Sequence, residues 1–252
     1  MNKKNDSTID KNAQEYDAHA QSWQASMSTN MGHKYLEKPA MEKELPATFE
    51  GKSILCIGVG SGDELQEILK RNPAHVTGID ISNELLNIAK SRFPNVEFKK
   101  MDMSAMDFPE ATFDFVYSSL TFHYAKDWGM LCSELYRVLK EGGELLFSTH
   151  HPDYWSRKTP TGNSYTNERG VTLTEHTALL PGDVSIIYYN HPNTDSINEA
   201  LTHVGFKIEK SFAPSVIEAD ANTLPEQDKE GYAKLKTKNA GLPLFYLIKA
   251  IK

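Results

Sequence analysis

The chain has only two cysteines in 252 residues, Cys56 and Cys132, and neither has metal-ligand company nearby in sequence. A disulfide framework is excluded, no metal is expected, and a reducing compartment is indicated. No apolar run approaches the roughly 18 residues that span a bilayer, and the opening stretch MNKKNDSTIDKN has no apolar signal core. The expectation is a cytoplasmic protein with no membrane partner. Basic residues are not in excess: 27 Lys and Arg stand against 34 Asp and Glu, a net charge of -7, with lysines scattered rather than massed. That balance speaks against nucleic acid as a partner. Internal repeats and low-complexity tracts are also missing, and nothing specifies an oligomeric state. What the chain does have is 39% hydrophobic residues, enough for one large domain with its own core or for two small ones.

The middle of the chain alternates apolar strand patterns with helical ones. Strands are predicted at 53–58, 75–80, 96–100, 113–118 and 144–149, the last after a Gly142-Gly143 stop, with helices at 63–71, 82–92 and 127–140. Residues 10–45 read as helices before this core. After it, 150–185 read as an irregular Pro/Gly/Thr-rich loop, 195–205 as a helix, and 206–212 and 243–251 as strands. The βαβ rhythm implies a mostly parallel sheet covered by helices on both faces.

The first strand ends in SILCIGVGSGDELQEIL, where Gly58, Gly60 and Gly62 fall at every second position. Such a bare turn lets a ligand approach the main chain at the carboxyl edge of a parallel sheet. Alone it is also compatible with a tight strand-to-helix turn. Asp80 closes the second strand 22 residues after Gly58, where a carboxylate can accept from both hydroxyls of a ribose. Asp102 follows the third strand, where an acid can accept from an exocyclic adenine amine. A dinucleotide site would place its third glycine one residue later, which argues against a nicotinamide enzyme.

The ensemble ILCIGVGSG, VTGIDISNELLNIAK, VEFKKMDMSAMDF, FDFVYSSLTFHYAKD and ELYRVLKEGGELLFS resembles the class I S-adenosylmethionine-dependent methyltransferases of type 11 over about residues 53–149. Weaker echoes are YDAHAQSW at 16–23, YLEKPAM at 35–41 and the C-terminal segments. The resemblance implies an α/β, Rossmann-like, doubly wound sheet in one domain. A helical cover would span 10–45, the cofactor core 53–149, an acceptor-side insertion 150–190, and a last helix and strands 195–252. It implies S-adenosyl-L-methionine as cofactor and a small-molecule acceptor. Methylation of an RNA base or protein side chain, or non-catalytic cofactor binding, stand as alternatives.

Carried residue by residue, the resemblance puts Gly58, Val59 and Gly60 against the methionine part of the cofactor and Asp80 on its ribose. Ile81 would lie on the adenine, Asp102 and the Met103 amide at the adenine amine, and Ser118 near the methionine moiety. Tyr16 and Lys38 would close over the methionine end. From its place after the fourth strand, His123 is a candidate general base beside the methyl or else a packing histidine. His150 or His151, at the end of the fifth strand, is a candidate acceptor-facing group, and Trp23 and Trp155 either line the acceptor pocket or pack in the core. Where the family usually has an acid, this chain has Cys56: either Asp63 compensates from the helix start, or the site holds the cofactor more weakly.

Overall fold

The computed structural model of the chain describes residues 7–155, 164–166, 172–177, 185–218 and 224–252. Its centre is a seven-stranded sheet built from β1 (Ser53–Ile57), β2 (His75–Asp80), β3 (Glu97–Lys100), β4 (Phe113–Ser118), β5 (Leu139–His150), β9 (Lys207–Phe212) and β10 (Phe245–Ile251). The order is β3-β2-β1-β4-β5-β10-β9, parallel from β3 through β5, with β10 antiparallel to both β5 and β9. The order of the strands therefore reverses between β1 and β4, which is where such sheets open a crevice for ligands. β1 has Ile54, Leu55, Cys56 and Ile57 all buried, as a strand covered on both faces must be.

Helices clothe the two faces: α1 (Ser7–Ala18), α2 (Ala20–Met27), α3 (Lys38–Glu44), α4 (Leu65–Leu69), α5 (Asn83–Arg92) and α6 (Trp128–Val138), then α7 (Pro152–Trp155), α8 (Thr194–His203) and α9 (Glu226–Gly241). A π-helical turn, His33–Glu37, runs directly into α3. Such turns are rare and frequently sit at functional sites.

The first cover helix is bolted to the core through polar caps. Ser82 caps α5 by accepting from Leu85 N at 3.1 Å, and Asp17 of α1 accepts both from Ser82 Oγ at 2.6 Å and from Glu84 N at 3.0 Å. A carboxylate at a helix N-terminus satisfies orphan amides and complements the helix dipole. Asp17→Ala is expected to cost about 1–2 kcal/mol, lowering the melting temperature by roughly 2–8 °C in a thermal melt.

Two expectations are corrected. Gly142 and Gly143 do not precede the fifth strand but lie inside it: β5 begins at Leu139, and the register slips between Phe113 and Phe115 on its neighbour β4. Gly142 has φ +71, which glycine adopts without strain, and its amide and the Gly143 carbonyl pair with Lys252. The second correction is in 150–185, where the irregular loop gives way to strands β6 (Ser164–Thr166) and β7 (Thr172–Thr177). With β8 (Ser185–Asn190) they form a small antiparallel sheet. The β-branched and aromatic residues of these segments favour strands despite the Pro/Gly punctuation around them. Asn12 of α1 ties this sheet to the cover, donating to Ile187 O at 2.7 Å and accepting from Ile187 N at 2.9 Å.

Candidate active site

A cavity of about 1160 Å³ opens along the carboxyl ends of β1, β2 and β3 and continues beneath α1, α2, β8 and α9. Gly58, Val59, Gly60, Asp80, Ile81, Asp102, Met103, Tyr16 and His123, all anticipated from sequence, line it together. Lys38 and Ser118 do not. Lys38 donates to the Asp63 carbonyl at 3.3 Å just outside the wall, and Ser118 is fully buried with its hydroxyl on the Ile57 carbonyl. Ser119, the first residue beyond the end of β4, lines the cavity instead.

The glycine turn behaves as a cradle. Gly60 has φ +52, and a Cβ there would meet nothing within 4 Å, so the main chain faces open space. Gly58 is glycine for a different reason, because a Cβ would lie 2.1 Å from the Thr121 hydroxyl oxygen. Asp80 braces the turn, its Oδ2 accepting from Gly60 N and its Oδ1 from Ser82 N, both at 2.9 Å. Burial raises its pKa, partly offset by those amides. Asp102 Oδ1 accepts from Ser104 N at 2.8 Å. Bare backbone at β1 and one carboxylate after each of β2 and β3 form a donor and acceptor set that fits an amino-acid-bearing adenosine.

Beyond the turn the wall becomes aromatic. Tyr16 and Tyr124 share a 2.5 Å hydrogen bond between hydroxyls, and Trp23 packs edge-on to Tyr16. His123 and His150 stack with ring centroids 3.6 Å apart and planes 5° from parallel. His151, one residue further, instead packs on Tyr246 and accepts from Asp153 N, so the two adjacent histidines part company. The side chain of Trp155 lies outside the described residues.

Burial holds His123 neutral, pushing its pKa down to about 3. The imidazole faces the cavity as expected, yet that value is far from the neutral range in which a general base is efficient. The same burial has a stability consequence. Between pH 6.5 and 3 the unfolded chain binds a proton at this site that the folded chain refuses, so this contribution is present above pH 6.5 and is lost as pH falls. His123→Phe, which keeps a flat ring, should therefore lose less stability than the wild type between about pH 7 and 5, by about 2 kcal/mol. Denaturant unfolding of both proteins at the two pH values checks it.

The N-terminal and C-terminal walls hold residues that sequence reading missed. Glu37 of the π-helical turn is fully buried and accepts from Ser119 Oγ at 2.9 Å, from Ser148 Oγ at 2.5 Å and faces His33 Nδ1 at 2.9 Å. Ser148 in turn accepts from the amide of Leu120, which lines the cavity at φ +47. A non-glycine residue held there costs energy that this bonding helps to supply. His33 Nε2 lies 3.4 Å from Glu64 Oε1, and Glu64 lines the cavity. α9, though rich in lysine, buries Tyr232 and Leu235 and lends Leu235 to the wall. The helical spacing of these two apolar residues was the available signal.

The reversal of the sheet between β1 and β4, with the glycine turn and the two strand-end carboxylates beside it, defines a class I methyltransferase fold. Residues 55–147 match the family described as "Methyltransferase domain". Over 104 residues the chain is 34% identical to a malonyl-[acyl-carrier protein] O-methyltransferase of Erwinia billingiae, covering 41% of each protein. An uncharacterized Haemophilus influenzae protein is 33% identical over 132 residues, 48% of this chain and 50% of that one. The chain thus spans about half the length of the curated relatives it matches. A solved S-adenosylmethionine-dependent methyltransferase from Mesorhizobium loti shares the fold over 90% of this chain and all of its own, with a TM-score of 0.66 at 21% identity. Among the described residues no helix is long and apolar enough to cross a membrane, and no group of three or more His, Cys, Asp or Glu could hold a metal ion.

Proposed function

We propose that the protein transfers a methyl group from S-adenosylmethionine to a small organic acceptor. The observation that carries this reading is one continuous cavity joining the cradle of Gly58, Gly60, Asp80 and Asp102 to the aromatic chamber of Tyr16, Trp23, Tyr124, His123 and His150. When bound, S-adenosylmethionine supplies a methyl already activated on a sulfonium, so the protein has chiefly to position, desolvate and exclude water. Gly58, Val59 and Gly60 would bring bare main chain to its methionine portion, with Ser118 behind them, and Tyr16 and Lys38 would flank that end. Asp80 would accept from the ribose hydroxyls, Ile81 would lie against the adenine, and Asp102 with the Met103 amide would engage its edge. His123, held neutral, would orient the acceptor through a hydrogen bond rather than carry off a proton.

The aromatic lining under a cover of α1, α2 and β8 favours a compact organic acceptor over a nucleic-acid or protein chain. One relative is named for methylating a malonyl group on a carrier protein, but the shared 104 residues do not carry that acceptor to this chain. The reading is tested by mass spectrometry of ligand released from the purified protein, followed by transfer of labelled methyl to a panel of phenols, amines, thiols and carboxylates. Bound cofactor and a labelled product are expected. Cofactor bound with no product across the panel would favour a binding protein instead, and no affinity for the cofactor would sink the reading.

A further inference from the structure

The cofactor read into this cavity ends in an amino acid, whose ammonium needs an anionic partner once it leaves water. Strand β1 offers none, since Cys56 is a buried thiol whose ionisation is pushed up by burial and by the charge of Glu64. Asp63, the expected compensation, is already committed: its Oδ2 accepts from Ser61 Oγ at 2.7 Å and its Oδ1 from Arg92 Nη1 at 2.9 Å. Asp80, at the end of β2, is the carboxylate read onto the ribose hydroxyls.

Glu64 differs from both. It lines the cavity beside Gly58 and Gly60, only 17% of its side chain is exposed, and its one ion-pair partner among the described residues is His33. His33 itself is clamped between two carboxylates, Glu37 at Nδ1 and Glu64 at Nε2, and can donate to both only as the imidazolium. Burial raises the pKa of Glu64, and the charges of His33 and Lys38 oppose that rise.

We propose that Glu64, oriented by the His33 and Glu37 pair of the π-helical turn, supplies the carboxylate that receives the ammonium of the cofactor's methionine moiety. Glu64 is then a binding residue, while His33 and Glu37 are positioning residues that hold it from the cover. The anionic task falls to the helix start instead of the strand, and it draws the N-terminal cover into cofactor binding. This inference rests on the S-adenosylmethionine reading, and its test separates the two.

The test is calorimetric titration of the full chain with two ligands: S-adenosylhomocysteine, which has the ammonium, and 5′-methylthioadenosine, which lacks the amino-acid end. Glu64→Gln should weaken the first by about 10- to 30-fold, as loss of a charge-assisted contact does, and leave the second within about twofold. Glu64→Leu, which removes the polar group altogether, is read the same way and guards against a glutamine that rebuilds the contact. Equal weakening of both ligands would make Glu64 a structural residue and overturn the proposal, as would unchanged binding of S-adenosylhomocysteine. A wild-type chain that binds neither ligand would instead overturn the cofactor reading itself.

Discussion

Asp80→Ala is expected to weaken binding of both S-adenosylmethionine and S-adenosylhomocysteine by about 30- to 150-fold, roughly 2–3 kcal/mol. Two losses combine in that figure. The carboxylate that would accept from the ribose disappears, and the amides of Gly60 and Ser82, which it now pins from opposite sides, are released together. Asp80→Asn keeps the length and one acceptor oxygen, so its loss should fall between wild type and alanine. Calorimetry on the three proteins gives the order, and equal affinities would remove Asp80 from the ribose.

Cys56→Asp should have the largest effect on stability. On paper it restores the acid that the type 11 pattern has at the end of the first strand, and tighter cofactor binding would be the naive outcome. The surroundings decide otherwise. Cys56 is only 3% exposed, the charge of Glu64 already bears on it, and neighbouring Tyr117 is itself pushed well up by burial and by the charges of Glu37 and Glu64. A carboxylate at this buried position, where the charge of Glu64 already opposes ionisation, would cost about 3 kcal/mol or more. The melting temperature should fall by roughly 6–12 °C, with no gain in affinity. A tighter dissociation constant at an unchanged melting temperature would show that Glu64 and Glu37 leave room for the acid.

The two substitutions mark where sequence reasoning sufficed and where it did not. Spacing alone places Asp80, because a carboxylate closing the second parallel strand is carried by the sheet to the edge where the glycine turn lies. The surroundings of Cys56 are not set by spacing. Asp63, which directly follows Gly62 at the end of the glycine turn, looks like the natural substitute, yet Arg92 from the end of α5 reaches across to occupy it. Local spacing carries no information about a cation arriving from 29 residues away.

By itself the sequence determined the order of strands and helices in the core, the glycine cradle, and the carboxylates of Asp80 and Asp102. These depend on periodicities of two and 3.6 residues and on turn chemistry, all of which are local. Only the tertiary structure decided that Ser119 rather than Ser118 faces the cavity, that His150 stacks on His123 while His151 turns away, and that burial keeps His123 neutral. It also brought His33, Glu37 and Glu64 together from the π-helical turn and the start of α4, and packed α9 over the same chamber. Burial, charge pairing and desolvation are properties of neighbours in space, and the chain sets those neighbours only once its separate segments have packed together.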